Sequence, residues 1–325
     1  MRRREFITLL GGAAVAWPMV VRAQQPTLPV VGFLNSGSPA EFAHLVAAFN
    51  QGLNDAGFVS GQNVVVEYRW ARGQPGRLSE LAADLVHREV TVIAASGGTT
   101  SALAAKAATG TIPIVFIVGG DPVDDGFVTS LARPNANVTG ITVFSIGLGG
   151  KRLELLRELV PTATLLAMLV NPTGKGSEQK VVKAAADNVG LQLHVLNASN
   201  DREIDAAFAT MVEQRIAGLL VSSDPFFTSR RDQLVLFTTR HAIPTVFPWR
   251  EYAISGGLLS YGTSLRSSYR QMGSYVARIL KGEKPADLPT QHPTTFEFVI
   301  NLKAAKALGL TIPTSILLRA DEVIE

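Results

Sequence analysis

Short polar stretches follow the apolar runs of this chain, and they hold the side chains best suited to ligand chemistry. Small hydroxyls and glycines dominate these stretches in the first half, whereas an acid and aromatic rings appear in the second half. Ligands gather beyond the carboxyl ends of the strands in open parallel sheets, so the pattern predicts a binding site. The candidate residues are Asn35, Ser36, Ser38, Ser96, Gly97, Thr99, Thr100, Gly120, Asp121, Asn171, Ser223, Asp224, Phe227 and Trp249.

The first set favours binding of a carboxylate. Ser96, Thr99 and Thr100 stand immediately before or at the start of a predicted helix. Helix N-termini offer free N–H groups, and hydroxyls beside them add further donors for an anion. The alternative is that Ser96 or Thr99 only caps its own helix. Capping and ligand contact do not exclude each other.

The second set favours an ammonium group and an apolar wall. Asp224 follows a predicted strand and can accept a charge-assisted hydrogen bond from an ammonium group. Phe226, Phe227 and Trp249 can supply an apolar or stacking surface. The alternatives are that Asp224 forms an N-cap or turn before Pro225, and that Phe227 and Trp249 belong to the core. For Asp121, between Gly119-Gly120 and Pro122, the favoured interpretation is turn formation.

Signatures of catalysis are missing from the sequence. There is no G-x-S-x-G, no P-loop and no H-E-x-x-H motif, and Ser177–Lys180 matches S-x-x-K without its K-T-G partner. The five histidines show no metal-ligand spacing, and the absence of cysteine excludes thiolate sites and a lipidated N-terminal Cys. We therefore expect no enzyme activity, no cofactor and no metal.

Four apolar runs occur twice in the same order. "VVGFLN", "NVVVEY", Val90–Ala95 and "TIPIVF" recur as "LAMLVN", "LQLHVL", Ile216–Val221 and "AIPTVF". Runs without polar alternation indicate strands buried on both faces of a parallel sheet. The alternative is a single large sheet with coincidental similarity.

Helical patterns separate these runs, as in Ala40–Ala56 and Thr99–Ala108. The alternation predicts an α/β fold of two doubly wound, Rossmann-like lobes joined by a three-stranded hinge. The expected crossings lie near Val143, Tyr261 and Phe298. This gives a first lobe of residues 24–143 plus 262–298 and a second lobe of residues 144–261 plus 299–325.

The N-terminus is predicted to be an export signal covering residues 1–23. Arg2–Arg4 precede the apolar stretch Phe6–Val21, and cleavage is expected near Ala23. "RREF" followed by Ile7 is typical of twin-arginine signals. Without this segment the chain holds 26 basic and 26 acidic residues. A net charge near zero argues against nucleic-acid binding, and we expect a periplasmic protein that is not a lipoprotein.

Longer segments carry a family resemblance over nearly the whole chain. They are "GFLNSGSP", "GLNDAGFVSGQNVVVEYRWARGQ", "GGDPV", "RPNANVTGIT", "KRLELLRELVP", "RRDQLVLFTTRHAIPTVF", "GGLLSYG", "ILKGEKPADLP" and the N-terminal "RRREFITLLGGAAVAWP". Together they resemble bacterial ABC-transporter substrate-binding proteins similar to the tryptophan-binding TrpX type, within the type I periplasmic binding fold.

The resemblance implies a small-molecule receptor that closes its lobes on a ligand. An aromatic or branched-chain amino acid is the expected ligand, and the expected partners are the permease and ATPase subunits of an importer in the inner membrane. The resemblance also implies that Ser36, Ser96 and Thr99 face the carboxylate and Asp224 the ammonium. Phe144 and Tyr261 enter the expected site only by analogy with the fold. A monomer is expected. The alternatives are a sensor module or a catalytic derivative of the fold.

Overall fold

The structure is a computed structural model that describes residues 28–134, 137–174 and 176–325. The predicted export signal, residues 1–23, lies outside the described residues. Strand–helix alternation runs through the described chain, and it builds two sheets in succession. Among these residues, no helix combines the length and the apolar character needed to cross a membrane.

The first sheet has five strands in the order β2-β1-β3-β4-β5, all parallel. Each inner strand is a continuous apolar run, because both of its faces are covered by helices. The strands are β1 (Val30–Asn35), β2 (Val65–Trp70), β3 (Val92–Ser96), β4 (Ile114–Val118) and β5 (Val138–Thr142). The helices between them are α1 (Pro39–Asp55), α2 (Leu78–His87) and α3 (Thr99–Ala108).

The second sheet has seven strands in the order β12-β11-β10-β9-β8-β6-β7. Its strands are β6 (Leu165–Val170), β7 (Gln192–Asn197), β8 (Leu219–Val221), β9 (Thr245–Phe247), β10 (Leu259–Thr263), β11 (Phe296–Asn301) and β12 (Glu322–Ile324). Its helices are α4 (Gly149–Leu159), α5 (Ser177–Asn188), α6 (Asp201–Glu213), α7 (Pro225–Ser229), α8 (Arg231–Arg240), α9 (Arg250–Ile254), α11 (Leu302–Ala307) and α12 (Thr314–Leu317).

The two sheets share one topology, which explains the repeat in the sequence. The order β2-β1-β3-β4-β5 of the first sheet corresponds to β7-β6-β8-β9-β10 of the second. The prediction of two α/β lobes with parallel sheets is therefore confirmed. One strand departs from the doubly wound pattern, because β11 pairs antiparallel with β10.

The long helix α10 (Leu265–Leu280) packs against α1 and so belongs to the first lobe. The two helices approach so closely that a Cβ on Gly52 would lie 1.9 Å from the carbonyl oxygen of Arg270. A Cβ on Gly273 would likewise lie 2.1 Å from the carbonyl oxygen of Phe49. Glycine at both positions therefore permits the backbone contact that holds α10 in place.

The chain passes between the lobes in three adjacent segments. The first follows β5 at residues 143–145, the second lies at Ser264, and the third runs through residues 292–295. Hydrogen bonds join them, since Thr263 Oγ1 donates to the Val143 carbonyl at 2.7 Å and Ser264 N donates to the Thr295 carbonyl at 3.1 Å.

Two of the expected lobe boundaries require correction. Phe298 lies in the middle of β11, where its backbone pairs with Tyr261 in the second sheet. The third passage therefore precedes Phe298, and the first-lobe insertion spans about residues 264–295 rather than 262–298. The expected positions differ because β10 and β11 both extend the second sheet up to the hinge.

Candidate functional site

A cleft of about 510 Å³ lies between the lobes, at the carboxyl ends of the strands. Loops after β1, β3 and β4 form one wall, and loops after β6, β8 and β9 form the other. Sequence-predicted residues occur on both walls. Those that line the cleft are Ser36, Gly97, Thr99, Thr100, Gly120, Asn171, Ser223, Asp224 and Trp249.

The first-lobe wall is built around the N-terminus of α3. Gly98 is the N-cap residue of this helix, and no side chain caps the helix by a hydrogen bond. Thr99 and Thr100 are the first residues of the helix and both line the cleft. The local turn needs glycine, since Gly97 and Gly98 have φ values of 76° and 98°. The uncapped helix start and the two threonines together offer hydrogen-bond donors to an anion in the cleft.

Ser96 and Asn35 lie beneath this wall rather than on it. Both side chains are fully buried, and Asn35 Nδ2 donates to Ser96 Oγ at 2.9 Å. Asn35 Oδ1 also accepts from the backbone of Gly37. These bonds hold the ends of the adjacent strands β1 and β3 in register, which fixes the loops that do face the cleft. Neither Ser96 nor Thr99 caps α3.

Five other predicted site residues lie outside the cleft lining. Ser38 is the N-cap of α1, and Asp121 Oδ1 accepts from the Val123 backbone in a turn. Phe227 is completely buried in the core. Tyr261 packs edge-on against Phe298 in the second lobe.

The fifth residue, Phe144, lies in the first hinge passage. Its ring meets that of His292, in the third passage, edge-on at 5.8 Å. The contact therefore joins two hinge segments and leaves Phe144 away from the ligand space.

Asp224 caps a helix, as one interpretation of the sequence expected, and it also lines the cleft. It is the N-cap of α7, where its Oδ1 accepts from Phe226 N at 2.8 Å and from Asn171 Nδ2 at 3.0 Å. No described residue hydrogen-bonds its Oδ2, and the side chain lines the cleft. Burial raises the pKa of Asp224 above its ordinary value, whereas the two donors oppose that rise. The second carboxylate oxygen is thus left available to a cationic group.

Aromatic and aliphatic side chains line another part of the cleft. Trp249 is only 4% exposed, and Phe226 lines the cleft while the neighbouring Phe227 is buried. The further members of this apolar sector are Phe42, Leu45, Leu265 and Tyr269. The pKa of Tyr269 is raised to about 12. Burial is the main cause of the rise, and hydrogen-bonding groups of Ser96, Gly97 and Asn35 partly oppose it.

The sequence analysis missed a buried ion pair at the cleft edge. Arg152 is 1% exposed and contacts Glu178, which lines the cleft. The sequence did indicate that Arg152 is buried, because Arg152 shares a helical face with Leu156 and Leu159, which are buried. Its partner could not be found from spacing, since Glu178 lies on another helix. In the described part of the chain, no group of three or more acidic or histidine side chains could hold a metal ion.

The lobes touch across the cleft, so the structure has the closed arrangement. A Cβ on Gly98 would lie 2.8 Å from Pro225 Cγ of the opposite lobe. Polar side chains of the two lobes also meet there, with Arg230 Nη1 3.9 Å from Glu41 Oε1 and His44 Nε2 3.7 Å from Glu251 Oε1.

A sequence family described as ABC transporter substrate binding protein matches residues 38–324. The chain belongs to this family. A curated relative, the tyrosine-binding protein of Clostridioides difficile strain R20291, is 27% identical over 265 residues, covering 81% of this chain and 75% of the relative.

Solved structures share the fold of this chain. A conserved domain protein from Vibrio cholerae is 26% identical, with a TM-score of 0.83 over 91% of this chain and 99% of its own. A Streptococcus pneumonia ABC domain in complex with L-Trp is 24% identical, with a TM-score of 0.82 over 92% and 100%. The ligand-free, open structure of CD0873 from Clostridium difficile is 24% identical, with a TM-score of 0.65 over 92% and 99%. This substrate-binding protein therefore has the fold of type I periplasmic binding proteins.

Proposed function

We propose that this substrate-binding protein captures a free α-amino acid with an aromatic or branched side chain, and that it delivers the amino acid to an ABC importer. The similarity to a tyrosine-binding relative and to a structure in complex with L-Trp supports an aromatic ligand. In this proposal the protein acts as a monomeric receptor in the periplasm. Its partners are the permease and ATPase subunits of the inner membrane.

The proposal rests on Asp224 Oδ2 at the cleft, which accepts no hydrogen bond from any residue that the structure describes. Asp224 stands on the second lobe, and its Oδ1 is already saturated by two donors. An ammonium group that enters the closed cleft loses water and needs a negative partner. Asp224 supplies this partner with little rearrangement of its side chain, because Asn171 and the α7 backbone already fix the carboxylate.

The opposite wall suits the other end of an amino acid. Thr99 and Thr100 lie at the uncapped start of α3, where an anion gains from N–H donors and from the helix dipole. A Cβ on Gly98 would lie 2.8 Å from the ring of Pro225, the residue after Asp224, so the sites for the two charged ends of a zwitterion face each other across a short gap. Lobe closure therefore brings the carboxylate site and the ammonium site together.

The apolar sector suits the side chain of the amino acid. Phe226 and Trp249 lie on the second lobe, and Leu265 and Tyr269 lie at the start of α10. Burying an aromatic side chain there removes well over 100 Å² of apolar surface from water, worth roughly 2–3 kcal/mol. The cleft volume of about 510 Å³ lies within the range of ordinary small-molecule sites.

Native mass spectrometry of protein purified from its own periplasm tests this proposal. We expect an additional mass equal to that of a single amino acid, lost on mild unfolding and recovered by chromatography of the released ligand. Calorimetric titration of the ligand-stripped protein with the common amino acids then ranks affinities, with L-tyrosine and L-tryptophan expected among the strongest. A retained sugar or a preference for small polar solutes would overturn the proposed ligand class.

Export is tested separately. N-terminal sequencing of the periplasmic protein should begin near Gln24. Changing Arg3 and Arg4 together to Lys should block export if the twin-arginine route is used. Protein that keeps Met1 in the exported fraction would contradict cleavage of the signal.

A further inference from the structure

The ion pair between Arg152 and Glu178 is buried in the second lobe beside the ligand cleft. The side chains are 1% and 11% exposed, and Arg152 NH2 donates to Glu178 Oε1. Burying two charges is costly, and such a pair is tolerated only where further hydrogen bonds satisfy both groups. The remaining contacts therefore indicate what this pair holds in place.

The Arg152 guanidinium connects the hinge to the ligand loop. NH2 donates to the Ser145 carbonyl at 3.0 Å, and NH1 donates to the Tyr261 carbonyl at 3.2 Å. Ser145 ends the first hinge passage, and Tyr261 lies in the strand that leads to the second. NH2 also donates to Ser223 Oγ at 3.1 Å. A single side chain thus links the first hinge passage and strand β10 to the loop after β8.

Glu178 also binds the loop after β8. Its Oε2 accepts from the backbone N–H of Ser223 at 2.8 Å. The next residue, Asp224, donates its own N–H to the Ser222 carbonyl at 2.8 Å. Ser223 is therefore held by both its amide and its hydroxyl, directly before the residue whose Oδ2 is free in the cleft.

Charge distribution gives the pair a second effect. Burial is the main cause of the raised pKa of Asp224, and the nearby Glu178 carboxylate adds to the rise. Arg152 is the cationic partner of Glu178, whereas none of the described cationic side chains forms an ion pair with Asp224.

We infer that Arg152 and Glu178 are a positioning pair, which holds the Ser223–Asp224 loop so that Asp224 Oδ2 points into the cleft. The ligand role of this pair rests on the proposed function. The pair acts through Asp224 and not by touching the ligand. Because Arg152 also binds the first hinge passage and the strand that leads to the second, it fixes the ammonium site relative to the axis of lobe closure.

Hydrogen exchange of the ligand-free full chain tests the positioning step without any ligand. Glu178→Gln preserves shape, but it replaces one carboxylate oxygen with an NH2 donor, so Arg152 and Ser223 N no longer each face an acceptor. We expect exchange of the Ser223 and Asp224 amides to accelerate by about tenfold or more. The control is Asp187→Asn, which removes an exposed ion pair with Lys183 on the same helix. Unchanged exchange in Glu178→Gln, or equal acceleration in the control, would overturn the inference.

A double-mutant cycle tests the ligand step, with L-tyrosine and L-tryptophan as calorimetric probes. Glu178→Gln alone should weaken binding about tenfold, whereas its effect in an Asp224→Asn background should be under about twofold. An equal loss in both backgrounds would mean that Glu178 contacts the ligand itself. No loss in either background would reduce the pair to a structural role.

The two experiments separate this inference from the proposed function. If the wild-type protein binds neither amino acid, the proposed ligand class fails, and hydrogen exchange still decides the positioning role. If Glu178→Gln does not fold, Glu178→Asp replaces it. The aspartate keeps the charge but retracts the carboxylate by one methylene, so it should contact Arg152 and lose the Ser223 amide. Faster exchange at Ser223 then supports the inference, and unchanged exchange contradicts it.

Discussion

Asn171 and Asp224 follow the neighbouring strands β6 and β8, and Asn171 Nδ2 donates to Asp224 Oδ1 at 3.0 Å across the gap between them. Two strand ends are thereby joined at the cleft floor. The same bond fixes the direction of the Asp224 carboxylate, whose other oxygen remains available.

Asp224→Asn should separate ligand binding from stability. Asparagine retains an acceptor for Phe226 N and Asn171, and it is as good an N-cap as aspartate. It removes the charge that an ammonium group needs, so affinity should fall by about 2–5 kcal/mol, or roughly thirtyfold to several thousandfold. Calorimetric titration with L-tyrosine or L-tryptophan measures this loss.

The matched control is Asp121→Asn, because Asp121 also accepts a backbone N–H but lies outside the cleft. This variant should bind as the wild type does. Equal affinity losses in the two variants would contradict a specific role for Asp224.

The melting temperature of Asp224→Asn should be higher than that of the wild type at neutral pH. Since the folded-state pKa of Asp224 is raised, folding favours the protonated carboxyl group. The resulting destabilisation is absent below the unfolded pKa and grows as pH rises through the folded pKa. The difference in melting temperature should therefore vanish in acid. A difference that instead grows in acid would contradict the sign of this shift.

Ligand affinity should fall as pH decreases through the raised pKa of Asp224. Only the ionised carboxylate pairs with an ammonium group, whereas the ligand's own carboxylate stays charged throughout this range. Titrations between about pH 7 and pH 4 should show proton release on binding at the acidic end. Asp224→Asn should lose most of this dependence. The same pH profile in both proteins would assign the titration to another group.

Gly98→Ala should obstruct lobe closure. Its Cβ would lie 2.8 Å from Pro225 Cγ, and the residue has φ of 98°. We expect affinity to fall by about 1–2 kcal/mol, and small-angle scattering at saturating ligand should give a larger radius of gyration than the wild-type complex.

Alanine is strained at the positive φ of Gly98 whether or not it meets Pro225, and Gly57→Ala serves as the control for this backbone strain. Gly57 has a similar φ of 91°, but nothing lies within 4 Å of its added Cβ. Both variants should lose stability to a similar degree, and only Gly98→Ala should lose affinity. A parallel loss of affinity in Gly57→Ala would mean that backbone strain, and not the contact with Pro225, is responsible.

The strand–helix alternation was predictable because each buried parallel strand is an unbroken apolar run. Short elements could not be predicted in this way. Helix α7 (Pro225–Ser229), for example, is too short to show a helical period. This matters at the site, since α7 places Phe226 in the cleft and buries Phe227. The sequence alone does not show which of two adjacent phenylalanines faces the cleft, because α7 sets the direction of each side chain.

Hydrogen-bond partners that lie far apart in the chain could also not be predicted from the sequence. The strand-end rule located Asn35 and Ser96 correctly at the carboxyl edge of the first sheet, but they bond each other beneath the site. Arg152 showed only as a charged residue on an apolar helix face. Its contacts with Tyr261 and Ser223 depend on how the strands assemble. Strand ends can thus be assigned to one edge from the pattern, whereas the direction of each side chain cannot.

Discrimination between amino and desamino ligands tests most directly whether Asp224 recognises the ammonium group of an amino acid. Calorimetry would compare L-tyrosine with 3-(4-hydroxyphenyl)propanoate, which differs only by the missing ammonium group, on the wild type and on Asp224→Asn. The wild type should prefer L-tyrosine by about a hundredfold or more, and Asp224→Asn should nearly abolish that preference. Equal affinities of the wild type for both compounds, or an undiminished preference in Asp224→Asn, would contradict the account.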